Sequence, residues 1–563
     1  MADDVTSLLE ELNLDLDTID DPNIRRCFVG LLNIIQQLSA ENARLREENQ
    51  KLKDEIARLK GEQGRPDIKP NNKGDSKGSN ISSEKQRRQK KNREKRKRRK
   101  LHIDRTVACP VARETLPDDA VYKGTETTVV QDLIFRRDNI AFKREKYWSP
   151  SLKKVFYGPL PPEYEDYKFG HGVRTFILTQ YYVVGTSEKK ILELLESVDV
   201  HMSAGELSYL LIHDVEQFHD EAAEIHDAGL ESAPWHQIDD TSTRVNGVNH
   251  YCHVLGNPLY SVYRTMPRKD RPTVLAVLRG TKTPRYLVND DAVALAAAMG
   301  VSGVVIGWFQ ERLSGDKEMD EAGFTAHYEK AMGLVKGQAK RKLFEAAALA
   351  AYRAQADVPV VTTLLGDDAR QFDEITDERA LCWIHDGRHY AKLTPMVSAF
   401  QKEVDGFLDK YWNYYRELRA YRQSPTPEEA SRLEQAFDDL FTTTVDYKAL
   451  QARIAKTLAN KDELLLVLTH PELPLHNNDS ELAARRRARK RDFSYGPRTR
   501  AGAKAWDSFQ TDISTAIKVG ISTYEYVADR VTGRGLIPRL AEVIRSRAAE
   551  LNLGGSWFLA SNA

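Results

Sequence analysis

Leucine recurs at every seventh position at Leu38, Leu45, Leu52 and Leu59, and Ile35, Asn42, Asn49 and Ile56 stand three residues earlier in each repeat. Polar and charged residues fill the positions between, so the stretch predicts one long helix with an a/d seam, the pattern of a coiled coil. Asparagine at two a positions lowers stability but favours a fixed register and a two-stranded state. The pattern ends at 61–83, where Gly, Ser, Asn and Pro predict a flexible linker. Residues 101–180 mix short β-like runs with Pro and Tyr and predict a small mixed module. In 185–218, Ile191, Leu194 and Leu195 and then Leu207, Tyr209, Leu210 and Leu211 predict two helices about a short turn. Ser203 and Glu206 have the spacing of a capping box there. The arrangement fits a DNA-binding helix-turn-helix and also an ordinary helical hairpin.

From Trp235 the period shortens. WHQIDDTSTRV, NHYCHVLG and PLYSVYRTM are three β-rich runs separated by Asn-Gly and Gly-Asn-Pro, which predicts an antiparallel meander. Residues 358–372 read as a buried strand running into Gly366, Asp367 and Asp368 and then a helix, and 380–385 as a further strand. Residues 395–470 read as helical, with the Tyr and Trp of KYWNYYRELRAYR packed in a core, and 473–493 open a helix that presents Glu481. The uncharged run 292–309 approaches the length of a membrane span, but Gly300 and Gly303 break it. It predicts a buried helix followed by a short buried strand, and no membrane partner.

Composition changes the picture only once it is resolved along the chain. Of 563 residues 41% are hydrophobic, enough for a sizeable core, so global disorder is excluded. Four cysteines cannot staple so long a chain, which points to a reducing, cytoplasmic setting, and the acidic start does not resemble a secretory signal. The 83 basic and 83 acidic side chains cancel, yet they are segregated. Residues 1–30 hold eight acids and two bases, whereas 84–100 hold twelve bases and two acids. The basic run, which includes Arg96, Lys97, Arg98 and Arg99, predicts a polyanion partner. It follows the zipper across a loop, whereas a basic-zipper regulator has its basic helix directly before the zipper.

Candidate chemistry lies in acids set on strands. Asp239 and Asp240 stand in the middle of a β run whose one other charged residue is Arg244 near its end, which is unfavourable without a compensating partner such as a metal ion. Three antiparallel strands, a helix, a parallel strand ending in an acid and a late helix bearing Glu481 describe an RNase-H-like α+β core. Acids from those elements can hold two Mg²⁺ or Mn²⁺ ions that clamp a phosphodiester. YLVNDDA, ending in Asp290 and Asp291, is a second strand-and-acid candidate, ranked lower because no Cys-x-x-His element follows it closely. Arg485, Arg486 and Arg489 beside Glu481 are candidate contacts to a phosphate backbone.

The set QIDDTSTRVNG, LLGDDARQF, ALCWIHDGRHYAKL and HNNDSELAARRRARKRDFSYGPRTRAGAKAWDSFQTDISTAIKVG resembles bacterial DDE transposases of the insertion-sequence-sixty-six type. The resemblance extends over most of the chain and is strongest in 235–255 and 360–530. It implies Asp239, Asp367 and Glu481 as the catalytic, metal-holding acids, with Asp240 and Asp368 as adjacent rivals. It further implies transposon-end and target DNA as partners, metal-dependent strand cleavage and transfer, a homodimer through the zipper, and a bacterial, nucleoid-associated location. The alternative is an inactive relative that binds DNA for regulation. The family's cysteine zinc module is reduced here to Cys109, so zinc is not expected there. Cys382 and His385 admit a metal site with Cys252 or His253, or a packing role. The domain plan that follows is an acidic start and coiled coil at 1–62, a linker and basic arm at 63–100, and a mostly helical DNA-binding region at 101–230. The catalytic core occupies 231–394, with an insertion at about 280–355, and is followed by a helical insertion at 395–470 and the rest of the core at 471–563.

Overall fold

The protein is described here from a computed structural model, in which the described residues are 16–59 and 103–560 apart from 113–116, 118, 119, 121, 134, 162, 163, 165–167 and 281. The linker and the basic arm with Arg96, Lys97, Arg98 and Arg99 lie outside the described residues.

The centre is a mixed five-stranded sheet. Strands β1 (Trp235–Val245), β2 (Val248–Asn257) and β3 (Tyr260–Met266) form the expected meander, and β4 (Thr363–Gly366) and β5 (Glu378–Leu381) extend it. The order is β3-β2-β1-β4-β5, with β4 parallel to both neighbours. Asn246 and Gly247 join β1 to β2 with φ of 50° and 76°, the left-handed pair that a two-residue hairpin turn demands. Alternation along the strands separates two faces. Ile238 and Leu255 point into a cluster with Val274, Leu275 and Leu349 from the helices between β3 and β4. Val254 and Tyr263 point the other way, against Ala483 and Ala484.

Four helices carry the site and its supports: α1 (Pro22–Leu59), α2 (Trp383–Ala391), α3 (Asn478–Ser494) and α4 (Arg500–Lys518). Helix α4 closes the open edge of β3. The outward amides of Ser261, Tyr263 and Thr265 donate to side chains of Thr515, Thr511 and Asp507, one helical turn apart. Helices Ser398–Tyr421, Pro427–Phe441, Lys448–Ala459 and Lys461–Thr469 form the helical stretch between β5 and α3, and Tyr411, Tyr414, Phe437 and Phe441 surround Trp383 at its centre. The start of α1 docks on this bundle. Asn33 donates to Asp446 O and accepts from Lys448 N, both at 2.9 Å, and Leu32 is buried.

Three local expectations are corrected. The second half of 292–309 is helical: Asp290–Ala298 is followed by Gly303–Leu313. Phe309 and Leu313, one turn apart, bury one side of that second helix, and this tertiary packing overrides the β preference of Val304, Val305 and Ile306. After Asp368 there is only a single 3₁₀ turn, Arg370–Phe372, because the next strand begins at Glu378. Strand β5 ends at Leu381, so Cys382 caps α2 and Trp383 to His385 are helical. The expected turn between helices Glu188–Ser197 and Ala204–Ile212 is present, and Ser203 and Glu206 form a capping box. Residues 103–145 add no regular element among those described, and the module's one ribbon is Lys146–Ser149 with Lys154–Tyr157. Among the described residues, no helix is long and apolar enough to cross a membrane.

Candidate active site

Parallel pairing of β4 with β1 matches Gln237 to Leu365. Two residues on along both strands, this brings Asp367 beside Asp239. The two rivals at each position then part company. Asp239 lies opposite Val254, so it shares the sheet face that α3 covers. Asp240 lies opposite His253 on the reverse face, where it accepts from Gln371 at 3.0 Å and stands 3.7 Å from Lys269 Nζ. Asp368 is taken up by Lys456 Nζ at 2.6 Å and by Arg379. Asp367 has a buried Oδ1 with no hydrogen-bond partner. Glu481, in the first turn of α3, completes the group.

The electrostatics record this convergence. Burial pushes the Asp239 carboxyl up to about 7, and the charges of Asp367, Asp240 and Glu481 add to it against a 2.8 Å bond from the Asp240 amide. Burial also raises Asp367, with Asp240 adding to it and His385 opposing it. Burial would raise Glu481 as well, but Arg388 and Arg485 more than offset it, so this carboxyl sits below its ordinary value. Arg388 grips Glu481 with one nitrogen 3.1 and 3.3 Å from its two oxygens, and Arg485 reaches it from the next turn of α3. His385, one turn before Arg388 in α2, is held below the usual imidazole range by burial and by Arg388, while Glu481 and Asp367 pull the other way.

The arginine-rich face of α3 divides in two. Arg489 and Arg486 are exposed, and Arg486 donates to Ser514 Oγ at 2.8 Å. Arg487 is fully buried, bonded to Asp507, Gln510 and Thr265 with its guanidinium over Trp506. Lys490 is buried too, donating to Tyr181 O at 2.6 Å, and burial holds it down at about 7. Arg388 was absent from the candidates. Its signal was its place three residues after His385, which sets both on one side of a helix.

Asp290 and Asp291 stand elsewhere. Their strand, Tyr286–Val288, pairs only with Gly315–Met319, and Asp291 is ion-paired to Arg353. Cys382 packs with the aromatic bundle and Cys252 beneath α3. Among the described residues, no three His, Cys, Asp or Glu side chains stand together as a ready metal cluster, the trio included. Glu481 is instead engaged by its arginines.

A mixed sheet with acids gathered from β1, the end of β4 and a covering helix defines a class of acid-centred α+β proteins. The particular lineage follows from two comparisons. Residues 351–505 match the transposase IS66 family. The uncharacterized protein y4jO of Sinorhizobium fredii (strain NBRC 101917 / NGR234) is 30% identical over 324 residues, which is 57% of this chain and 99% of that protein. The chain belongs to the transposase IS66 family.

Proposed function

We propose that the protein is a DNA transposase of a bacterial insertion sequence, acting in the cytoplasm, that cuts DNA at transposon ends and joins them to a target in a metal-dependent reaction. The observation that carries this reading is the placing of three acids from separate elements: the β1–β4 register sets Asp367 beside Asp239, and Glu481 stands in the first turn of the helix that covers their sheet face. The strand order, three antiparallel and two parallel, supports an RNase-H-like core.

The donor set is all oxygen, and the unpartnered Oδ1 of Asp367 together with the raised Asp239 fits a hard cation such as Mg²⁺ or Mn²⁺. Asp239, Asp367 and Glu481 would hold two such ions, which supply Lewis-acid activation of the attacking oxygen and stabilise the leaving one. Arg388 and Arg485 neutralise Glu481 until then, and Arg486 and Arg489 offer cations to the phosphate backbone. Arg388 meets His385 Nε2 at 3.3 Å, a contact that helps to orient it. The basic arm with Arg96, Lys97, Arg98 and Arg99 adds sequence-independent attraction to DNA. The outer part of α1, where Leu38, Leu45 and Leu52 are 58%, 44% and 58% exposed, would pair with a second copy as a coiled coil and so bring two ends together.

One observation favours the reading of an inert DNA-binding relative, namely that Glu481 is closed by two arginines. A single experiment decides between them. End DNA is incubated with Asp239→Asn, Asp367→Asn and Glu481→Gln proteins in Mg²⁺. Each substitution is expected to abolish nicking by about a thousandfold or more. Intact nicking in any of them would falsify the trio, and no nicking by the unaltered protein favours the inert relative.

A further inference from the structure

The ribbon Lys146–Ser149 and Lys154–Tyr157 is a hairpin on which aromatic rings face solvent from both sides. Its register sets Tyr147 opposite Phe156 on one face and puts Trp148 and Tyr157 on the other. Tyr147, Trp148, Phe156 and Tyr157 are 65%, 59%, 45% and 53% exposed, and none of them joins a hydrophobic cluster among the described residues. A lone two-stranded ribbon is marginal in water, and this one is closed by Gly158 N donating to Glu145 O and Arg144 Nε donating to Gly158 O. Burying four large rings would stabilise it, yet they point outward.

The charges around the rings are mainly positive, the exception being Glu145, which accepts from the Tyr147 hydroxyl at 3.2 Å. Lys143, Arg144, Lys146, Lys153 and Lys154 surround them, with Glu145 as the one acid in 143–157. The cations lie against the rings: Arg144 and Lys146 are 5.3 and 5.7 Å from the Tyr157 centroid, and Lys154 is 5.6 Å from that of Phe156. Exposed flat rings flanked by cations match a strand whose bases stack on the rings while its phosphates meet the lysines. Bases inside a duplex have no free face to offer to the rings.

We infer that this hairpin is a binding site for unpaired DNA, gripping a single strand with Trp148 and Tyr157 on one face and Tyr147 and Phe156 on the other. The inference deepens the DNA reading above and rests on it. It assigns the strand at a transposon end that is opened when the end is processed.

The test is fluorescence anisotropy with the full chain in EDTA, using a labelled pyrimidine-rich single strand and the same sequence as duplex. Trp148→Ala/Tyr157→Ala is expected to weaken single-strand binding about tenfold or more and to change duplex binding less than about twofold. Trp148→Phe/Tyr157→Phe, which keeps the stacking faces, restores most of the affinity. Lys153→Ser/Lys154→Ser weakens both forms and flattens the salt dependence. Equal loss on strand and duplex, no loss, or failure of the phenylalanine pair to restore binding would each overturn the assignment. No cleavage is needed for this readout. Persistent nicking by the acid-trio variants therefore sinks the active-site reading and leaves this one standing, and an unchanged strand preference does the reverse.

Discussion

Asp239 is held in a state that water would not allow it. Folded, its carboxyl keeps a proton up to about pH 7; unfolded, it releases the proton near pH 4. The native state thus binds more protons between those values, and the stability this lends is present at low pH and lost as pH rises toward 7. Asparagine carries no such liability. Asp239→Asn is therefore expected to gain on the unaltered chain by about 3 kcal/mol between pH 4.5 and 7.5, followed by thermal unfolding in EDTA. A gap that stays constant over that range would mean that the carboxylate is not confined. The same residue shows what could and could not be read from the chain. An acid inside a β run was a visible oddity, so Asp239 and Asp240 were found together. The family resemblance prefers Asp239, and the register with β2 adds what no local pattern holds: it turns Asp239 toward α3 and Asp240 toward Gln371 and Lys269. Asp367 and Asp368 separate in the same way, through a lysine in a helix far along the chain.

Among the elements, α3 has the most to position, since it must hold Glu481 over β1. Its far end is fixed by a close approach. Gly496 has φ of 85°, and a Cβ there would stand 2.6 Å from Arg244 O at the end of β1, while Asn246 N donates to Pro497 O at 3.0 Å. Gly496→Ala is expected to cost about 1–3 kcal/mol in urea unfolding and to lower end nicking in parallel. An unchanged midpoint would show that this anchor is not needed. The meander and the Glu481 helix were legible because their signals are local: an Asn-Gly turn, alternating side chains, a run of helix formers. Residues 303–313 and 380–385 misled because β-branched and aromatic residues carry their preference into helices whenever packing demands it. Nothing local reveals that Trp383 is the hub of an aromatic bundle built from residues up to Phe441.

At the scale of the whole molecule, α1 has two parts with different partners. Residues near Leu32 and Asn33 are fastened to the helical bundle, and the leucines beyond face solvent. The heptads were plain in the sequence; the docking of the first turns was not, since a buried Asn33 that satisfies Asp446 and Lys448 looks like any polar residue on a helix. Replacing Leu38, Leu45 and Leu52 together by serine is expected to leave the thermal midpoint nearly unchanged and to convert a dimer into a monomer in sedimentation velocity. A monomer before substitution would remove the zipper from the reading.

The pairing of β4 with β1 joins stretches well over a hundred residues apart, and Glu481 comes from over a hundred residues further still. Contacts of such sequence separation form late, because the loops between them must close first. A chain emerging from the ribosome can therefore fold its meander and its first helices while the acid group is still incomplete. Any chemistry that needs all three acids becomes possible only when α3 has been made and laid down, long after the basic arm and the hairpin.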